Sequence, residues 1–562
     1  MLPRIDKTYK NIRRFQQILG VIIKYGFGDI LDRLKIESSI ERGRKFLHLS
    51  SREESREALT TPMRIRMAME ELGPTFIKLG QVLSTRPDLV PAEYIEEFQR
   101  LQDRVPGFPF ETVREILTDA WDRDPSEVLA SLDPEPLAAA SISQVHRAAL
   151  QDGTEVIVKV RRPGVAKVVE ADIDILYYLA HQLERHFPDF GIANPVGVVR
   201  EFEKVLTREM DFTYERNHLT RFHEAFAEDP HIVIPMAYWD LCAKRVLVEQ
   251  YLAGEKVTNL GDPSDLLRSD RLFLARKGCE AILRQILDLG LFHGDPHPGN
   301  VLIIGHDKIG FLDFGIVGRL DPQTREALVF LLSAIIKRDL DRFVRYLLVI
   351  GTPLAAFDRR SFRNDALLFI DTYAGLGKHR LEVGTMLAQF LELLRLYKIQ
   401  IPPDLVLLIK AIITIEGVGL MLYPPYNIME TLEPYVMRLI NRQLQPTELA
   451  GRIGRYAEET LFFAKRIPGD FGETLRQIRE NKLEIGFRHK GLDALASTME
   501  RAVNRLALAI FAAALILGSS LIIRYRVGPT FRGISITGVA GFVLAFFIGV
   551  WVAVGILRSK RL

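Results

Sequence analysis

Two charge-free runs near the C-terminus constrain this chain more than any other feature. Leu506 to Ile523 spans eighteen residues without a charge, and Ile534 to Leu557 spans twenty-four. As helices rising about 1.5 Å per residue, both approach or exceed the ~30 Å hydrocarbon layer of a bilayer, in which every backbone polar group must be satisfied within the segment. Only Arg524 to Gly533 separates them, so the pair reads as a transmembrane helical hairpin whose outer ends share one side. Arg501, Arg505, Arg558, Lys560 and Arg561 flank the outer ends, against Arg524, Arg526 and Arg532 in the loop. That five-to-three bias places the large N-terminal part in the cytoplasm. A helical hairpin buried in a soluble core is the alternative.

The 562 residues correspond to roughly three to four structural units. With 48% apolar and 26% charged residues the chain can bury large cores. Lys+Arg at 74 against Asp+Glu at 71 leaves a net charge of +3, so no nucleic-acid partner is expected. Two cysteines exclude a disulfide scaffold and suit a reducing compartment. Lys7, Lys10, Arg13 and Arg14 precede a short apolar run, Ile18 to Ile23, with no small-residue cleavage site after it; an amphipathic helix is expected there rather than a signal peptide.

Residues 1 to about 130 read as a helical extension, with breaks near Ser50 to Arg56 and Arg104 to Pro109. Within it, Met63 to Ser84 reads as one helix ended by Arg86-Pro87. From Pro136 to Val160 the texture changes to strands: Asp152-Gly153 is a hairpin turn, and Val156, Val158 and Val160 alternate with Ile157 and Lys159. Helices return over Val165–Phe187 and Pro195–Phe226, a strand over Val246–Leu252, and short strands over Val301–Ile304 and Ile309–Leu312. Residues 322 to about 480 are amphipathic helix, interrupted at Pro402-Pro403, Pro424-Pro425 and Pro468-Gly469. The fold class is therefore α+β, a bilobal protein-kinase-like fold. Its predicted parts are the extension (1–130), a small β-rich lobe with a helical insert (131–260), a large α-helical lobe (261–490), and a linker with two transmembrane helices (491–562; spans 506–523 and 534–557).

The chemistry concentrates in His293-Gly-Asp-Pro-His-Pro-Gly-Asn300. Asp295 and Asn300 stand five apart on a loop stiffened by two prolines, where a carboxylate and a carboxamide can orient an attacking hydroxyl and ligate a metal. Thirteen residues on, Asp313-Phe314-Gly315 supplies a second carboxylate able to bridge Mg²⁺ to nucleotide phosphates. Alone, Asp-Phe-Gly is a common turn, and His293, Asp295 and His297 would suit a metal hydrolase, but no second histidine cluster completes such a site. Upstream, Lys159 in Val-Ile-Val-Lys can neutralise the α- and β-phosphates. The order lysine, Asp-x4-Asn, Asp-Phe-Gly argues for a phosphate clamp binding ATP and Mg²⁺. Glu209, Asp211 and Glu215, read as one helical stretch, are the candidate acidic partners of Lys159.

Over about residues 60 to 490 the chain resembles the UbiB family of atypical kinases, also called AarF-domain kinases. Lys78-Leu-Gly-Gln81 matches the family's K-x-G-Q signature, Ala138-Ala139-Ala140-Ser141 its alanine-rich nucleotide loop, and Glu209-Met-Asp211 its E-x-D signature. The resemblance implies that Lys159 pairs with Glu215, that Asp295 is the catalytic-loop aspartate, and that Asn300 and Asp313 bind the metal. It implies that Ala138, Ala139, Ala140 and Ser141 meet the nucleotide, and that Lys78 and Gln81 sit on an inhibitory or substrate-gating helix anchored by Glu209 and Asp211. Without the resemblance, Gly80 in that helix points to close approach of another backbone. One departure stands out: where the family often has glycine, this chain has Ser143, a residue less permissive at positive φ.

Three functions follow as expectations. The first is a membrane-anchored ATPase or atypical kinase of the bacterial inner membrane. The resemblance implies that it supports ubiquinone biosynthesis, with membrane lipid, an isoprenoid quinone precursor or quinone-biosynthesis proteins as partners. The second is a small-molecule phosphotransferase of the aminoglycoside or choline kinase type, which gives no reason for the Lys78 helix or the hairpin. The third is a nucleotide-binding scaffold without turnover.

Overall fold

The structure is a computed structural model that describes residues 9–27, 59–84, 86, 90–101, 106–186, 194–259, 268–354, 357–373, 383–443, 492–525, 527–531 and 534–559. The breaks expected near Ser50–Arg56 and at Pro468-Gly469 lie outside the described residues, as does the helical pattern after residue 443. The chain divides into two compact units, Met1–Leu449 and Ala450–Leu562.

The first unit opens with α1 (Tyr9–Lys24), α2 (Thr61–Leu72), α3 (Pro74–Ser84) and α4 (Ala92–Phe98). The stretch read as one helix from Met63 to Ser84 is two. Gly73 takes φ +94, which a side chain resists, and Pro74 has no N–H to continue the ladder, so α2 stops and α3 begins. Gly80 also departs from expectation, because what a methyl there would meet is side chain, Leu101 and Met69, and not another backbone.

The small lobe follows: α5 (Phe110–Trp121), α6 (Pro125–Val128), β1 (Leu129–Leu132), β2 (Ala138–Ala139), β3 (Ser143–Leu150) and β4 (Glu155–Arg161). The expected Asp152-Gly153 turn joins β3 to β4, with Gly153 at φ +87 and Asp152 Oδ1 accepting the Thr154 N–H at 2.9 Å. Alternation along β4 buries Val156, Val158 and Val160 against α5 and turns Lys159 to the other face of the sheet. Next come α7 (Val165–His186), α8 (Pro195–Glu209), α9 (Phe212–Phe226), β5 (Ile232–Val233) and β6 (Val246–Gln250). Strand β6 lies antiparallel to β4 and completes the order β1-β3-β4-β6, with β2 paired to β3. The insert helices α7 and α8 share one core with the extension: Phe76, Ile77, Phe98 and Leu101 pack with Ile173, Phe202 and Leu206. Asp172, wholly buried on α7, is matched by Arg14 through hydrogen bonds of 2.6 and 3.0 Å, so the charge is compensated where it is desolvated.

The large lobe carries β7 (Glu255–Lys256), α10 (Arg268–Arg284), β8 (Leu291–His293), β9 (Val301–Ile304), β10 (Lys308–Phe311) and β11 (Val317–Arg319). A four-stranded sheet runs β5-β10-β9-β7, and β8 pairs with β11, so that His293 faces Val317. These two pairings hold the ends of the loop from Gly294 to Asn300. The helices α11 (Pro322–Ile336), α12 (Leu340–Ile350), α13 (Arg359–Tyr373), α14 (Val383–Leu396), α15 (Pro403–Leu422) and α16 (Met429–Gln443) enclose the main core. Of the three helices among the described residues that are long and apolar enough to cross a membrane, α15 is one, yet it is built into this core through Leu405, Leu408, Ile409, Ile415 and Leu422. Its charges are used locally: Asp404 accepts the Arg319 N–H at 3.1 Å, and Glu416 accepts the Val383 and Gly384 N–H groups at 3.1 and 3.2 Å.

The second unit contains α17 (Leu492–Arg524) and α18 (Ile536–Ser559), and between them Thr530–Phe531 pairs antiparallel with Ile534–Ser535. They pack on each other through small residues: Ala512, Ser519, Gly538 and Ala545 are the buried helix positions among the described residues, and Gly538 and Gly541 admit Ile523 and Ser519. Leu506, Leu517, Phe546, Phe547 and Trp551 face outward. The pair thus closes on small residues and leaves its large apolar ones exposed, and both helices are long and apolar enough to cross a membrane.

Candidate active site

Lys159 reaches from β4 to Glu215, one turn into α9, and donates to both carboxylate oxygens at 2.9 Å. The same ammonium lies 3.5 Å from Asp313 Oδ1. Three elements far apart in sequence thus meet at one cation. Burial disfavours the charge on Lys159, but Asp313 and Glu215 outweigh it and hold its pKa above the usual lysine value. Burial pushes Glu215 up to about 7 in spite of the ammonium. The ammonium of Lys159 first, with Lys78 contributing, holds Asp313 well below the usual carboxylate range. A third carboxyl, Glu249 on β6, is raised to about 8 by burial and by the Glu215 charge; the sequence reading missed it, and only its place on the strand paired to β4 could have pointed to it.

The acidic residues do not share one helix. Glu209 ends α8, Met210 breaks it, and Asp211 is the extended N-cap of α9, accepting the Thr213 N–H at 3.0 Å. The roles divide accordingly. Glu209 forms an ion pair with Lys78 of α3, Asp211 secures the start of the helix that presents Glu215, and Glu215 alone meets Lys159. Gln81, one turn beyond Lys78, donates to the Leu101 carbonyl at 3.4 Å.

Asp313 sits at φ 59, in the left-handed region that aspartate tolerates better than most side chains. Two groups fix it. Phe314 is buried against Phe222 of α9 and His293, with ring centroids 4.7 and 4.9 Å away, and its carbonyl accepts from His218 Nδ1 at 3.2 Å. His293 is itself locked as the neutral Nε2–H tautomer, since Nδ1 accepts the Asp295 N–H at 3.1 Å and Nε2 donates to the Leu312 carbonyl at 2.9 Å. Burial lowers its pKa and keeps it neutral. This histidine is a strut between the Asp295 loop and the strand leading to Asp313.

In the loop, His297 Nδ1 accepts the Gly299 N–H at 3.0 Å, capping the 3₁₀ turn Pro298–Asn300. Asn300 Nδ2 donates to the Asp295 carbonyl at 3.3 Å, and its own carbonyl accepts the Leu312 N–H at 2.9 Å, which sets Asn300 beside the Asp313 strand. The oxygen donors Asp313 and Asn300 suit Mg²⁺, which binds through one or two protein ligands and completes its shell with phosphate and water. Among the described residues no group of three His, Cys, Asp or Glu side chains forms a closed metal cage.

Ala138 and Ala139 form β2, opposite Val145 and Gln144, and the Ala140 N–H donates to the Ser143 carbonyl at 2.8 Å, closing a turn that buries Ser141. Ser143 costs nothing here: it opens β3 and is absent from the non-glycine residues with positive φ among the described residues. Gln144 and His146 are structural, both buried, with Gln144 pairing the Phe108 backbone at 2.7 and 3.3 Å. A further residue missed in the sequence is Lys410 of α15, whose Nζ lies 3.0 Å from Asp295 Oδ1.

Known proteins resemble the chain in the same regions. Residues 100–347 match the ABC1 atypical kinase-like domain, 368–427 the UbiB helical domain, and 490–558 the ABC1/UbiB kinase-like C-terminal domain. A Clostridium pasteurianum protein known as the uncharacterized protein in the hydrogenase 1 5′ region is 31% identical, covering 98% of this chain and all of that protein (100%). The probable protein kinase UbiB of Pseudomonas fluorescens (strain Pf0-1) is 32% identical, covering 80% of this chain and 84% of its own length. Among solved structures, the complex of Rv3197 with erythromycin from Mycobacterium tuberculosis covers 63% of this chain and 90% of that one, at 22% identity and a TM-score of 0.46. Family-model matches along the chain and the extent of the curated similarity lead to one conclusion: this protein belongs to the UbiB family of ABC1-type atypical kinases, with a kinase-like α+β fold.

Proposed function

We propose that the chain is a membrane-anchored MgATP-dependent ATPase or kinase of the bacterial inner membrane, with its kinase-like part in the cytoplasm, supporting ubiquinone biosynthesis. The observation that carries the reading is the double 2.9 Å contact of Lys159 with Glu215 beside Asp313 at 3.5 Å. When bound, Mg²⁺ neutralises the phosphate oxygens and orients them. Lys159, held by Glu215, neutralises the α- and β-phosphates, and Asn300 and Asp313 are the metal's protein ligands. Asp295 orients the attacking hydroxyl and takes its proton. The turn formed by Ala138, Ala139, Ala140 and Ser141 covers the nucleotide. Lys78, tied to Glu209 and close enough to lower Asp313, puts a positive side chain and a helix over the phosphates, which supports a lipid or quinone-pathway acceptor over a bulky protein. A small-molecule kinase has no use for that helix.

ATP hydrolysis by the full chain, with and without anionic lipid vesicles and a phenolic quinone-precursor mimic, tests the reading. Stimulation by either supports it. Absence of MgATP-induced thermal stabilisation in the parent, or an equal stabilisation in Asp313→Asn, counts against it, because the carboxylate faces both metal and phosphates.

A further inference from the structure

A phosphoryl-transfer site needs a cation at the transferring group as well as one at the α- and β-phosphates. The position two residues beyond Asp295 is His297, and its Nδ1 is occupied by the Gly299 N–H. The cation that meets Asp295 comes from another part of the large lobe, Lys410 on α15, with Nζ 3.0 Å from Oδ1. Among the described residues Asp295 is its only ion-pair partner. The two side chains are 33% and 27% exposed, so the pair borders the open site rather than the core.

The fold places this lysine deliberately close. A methyl on Gly294 would lie 2.8 Å from Leu407 Cδ2 and 2.9 Å from Ile316 Cγ2, so α15 and the loop are in close contact here and a larger residue would have to displace the ends of those side chains. Leu407 and Lys410 are three apart on the helix and share a face. The Asp404 contact with Arg319 and the Glu416 contacts with α14 secure α15 on either side of Lys410.

We propose that Lys410 is the catalytic cation directed at the transferring phosphoryl group. This rests on the MgATP phosphoryl-transfer reading. One N–H of the ammonium holds the Asp295 carboxylate, and another donates to a γ-phosphoryl oxygen. In the step, the acceptor oxygen forms its bond to the γ-phosphorus while the bond from that phosphorus to the β–γ bridging oxygen breaks, the electron pair leaving with ADP. The acceptor's proton passes to Asp295, and Lys410 stays protonated throughout. With water as acceptor the products are ADP and inorganic phosphate.

The test uses the full chain in lipid nanodiscs, as parent, Lys410→Met and Lys410→Arg, and measures kcat and KM for MgATP hydrolysis with MgATP affinity by calorimetry. The expected result is a kcat loss of about 100-fold in Lys410→Met with affinity within about threefold of the parent. Lys410→Arg recovers part of the rate, because it restores charge and donors on a different geometry. A parent and Lys410→Met with equal kcat overturn the proposal, as does a variant whose kcat and affinity fall together with its melting temperature, the signature of a structural pair. A parent that binds and hydrolyses no MgATP overturns the phosphoryl-transfer reading itself, and the role of Lys410 with it.

Discussion

Lys159→Met removes the ammonium that faces a cluster of three carboxyls. Glu215 is 2.9 Å and Asp313 3.5 Å from the ammonium, and Glu249 lies close enough to be lowered by it. At an effective dielectric of about 20, each of the two close pairs is worth about 5 kcal/mol before desolvation. Desolvation cancels much of that, and losing one partner of a buried pair leaves a net cost of about 3 kcal/mol. The pH dependence is sharper than the total. In the parent Glu215 is already raised from 4.5 to about 7, with the ammonium acting to lower it. Without Lys159 that influence disappears and the pKa of Glu215 rises further. A raised carboxyl makes the native state bind more protons than the unfolded one, so stability falls as pH climbs from the unfolded pKa to the folded one, at up to about 1.4 kcal/mol per pH unit. For Glu215 that fall ends near pH 7 in the parent and continues above it in the variant. The two stability curves therefore separate between about pH 7 and 9, by about 1–3 kcal/mol. Urea unfolding of the full chain in detergent, followed by the fluorescence of Trp121 and Trp239 in the small lobe, measures this at each pH. Parallel curves from pH 6 to 9 would refute the reasoning, because the Lys159–Glu215 pair would then not set the titration of Glu215.

Glu249→Gln removes a carboxyl raised to about 8, so it stabilises the fold by a few kcal/mol above pH 8 and by little near pH 5, measured as melting temperature against pH. Lys78→Ala, which leaves Glu209 without its ion-pair partner, opens the phosphate site and raises autophosphorylation; radiolabel incorporation unchanged from the parent would return Lys78 to a packing role. Deleting residues 501 to 562 releases the protein into the soluble fraction with MgATP stabilisation intact, since every proposed ligand lies in the first unit; retention in the membrane pellet after alkaline wash would mean that another segment anchors it.

The sequence made the elements of the site legible where local chemistry decides them. Alternating valines fixed the face of Lys159, Asp152-Gly153 fixed the register of β3 on β4, and the charge-free runs marked the apolar helices of the second unit. Helix breaks were harder. Gly73-Pro74 was hidden inside a continuous apolar period, and the break at Met210 only becomes visible once Asp211 caps α9 and Arg161 takes the Met210 carbonyl at 2.6 Å. Contacts between distant elements were not legible at all. Lys410 lies in a helix that composition alone would send into a membrane, and nothing local says that Gly294 leaves room for it beside Asp295. Glu249 is a single carboxylate on an apolar strand; its pKa is raised first by burial and then by the charge of Glu215, on a helix that lies between β4 and β6 only in chain order.

The charges around the site explain why these distant contacts exist. Asp295, Asp313, Glu209, Glu215 and Glu249 contribute five carboxyls, against three ammonium groups on Lys78, Lys159 and Lys410. Each lysine comes from a different element, α3, β4 and α15, and each faces a carboxylate that would otherwise sit among others of its own sign. The excess remains on the acidic side even if Glu249 keeps its proton near neutrality. On the proposed reading, a bare polyphosphate entering this field would meet repulsion at Asp313, whose carboxyl the Lys159 ammonium holds well below the usual carboxylate range. A divalent cation carried in with the phosphates would reverse that term, so on this reading the residues that would repel nucleotide alone would attract it with its metal.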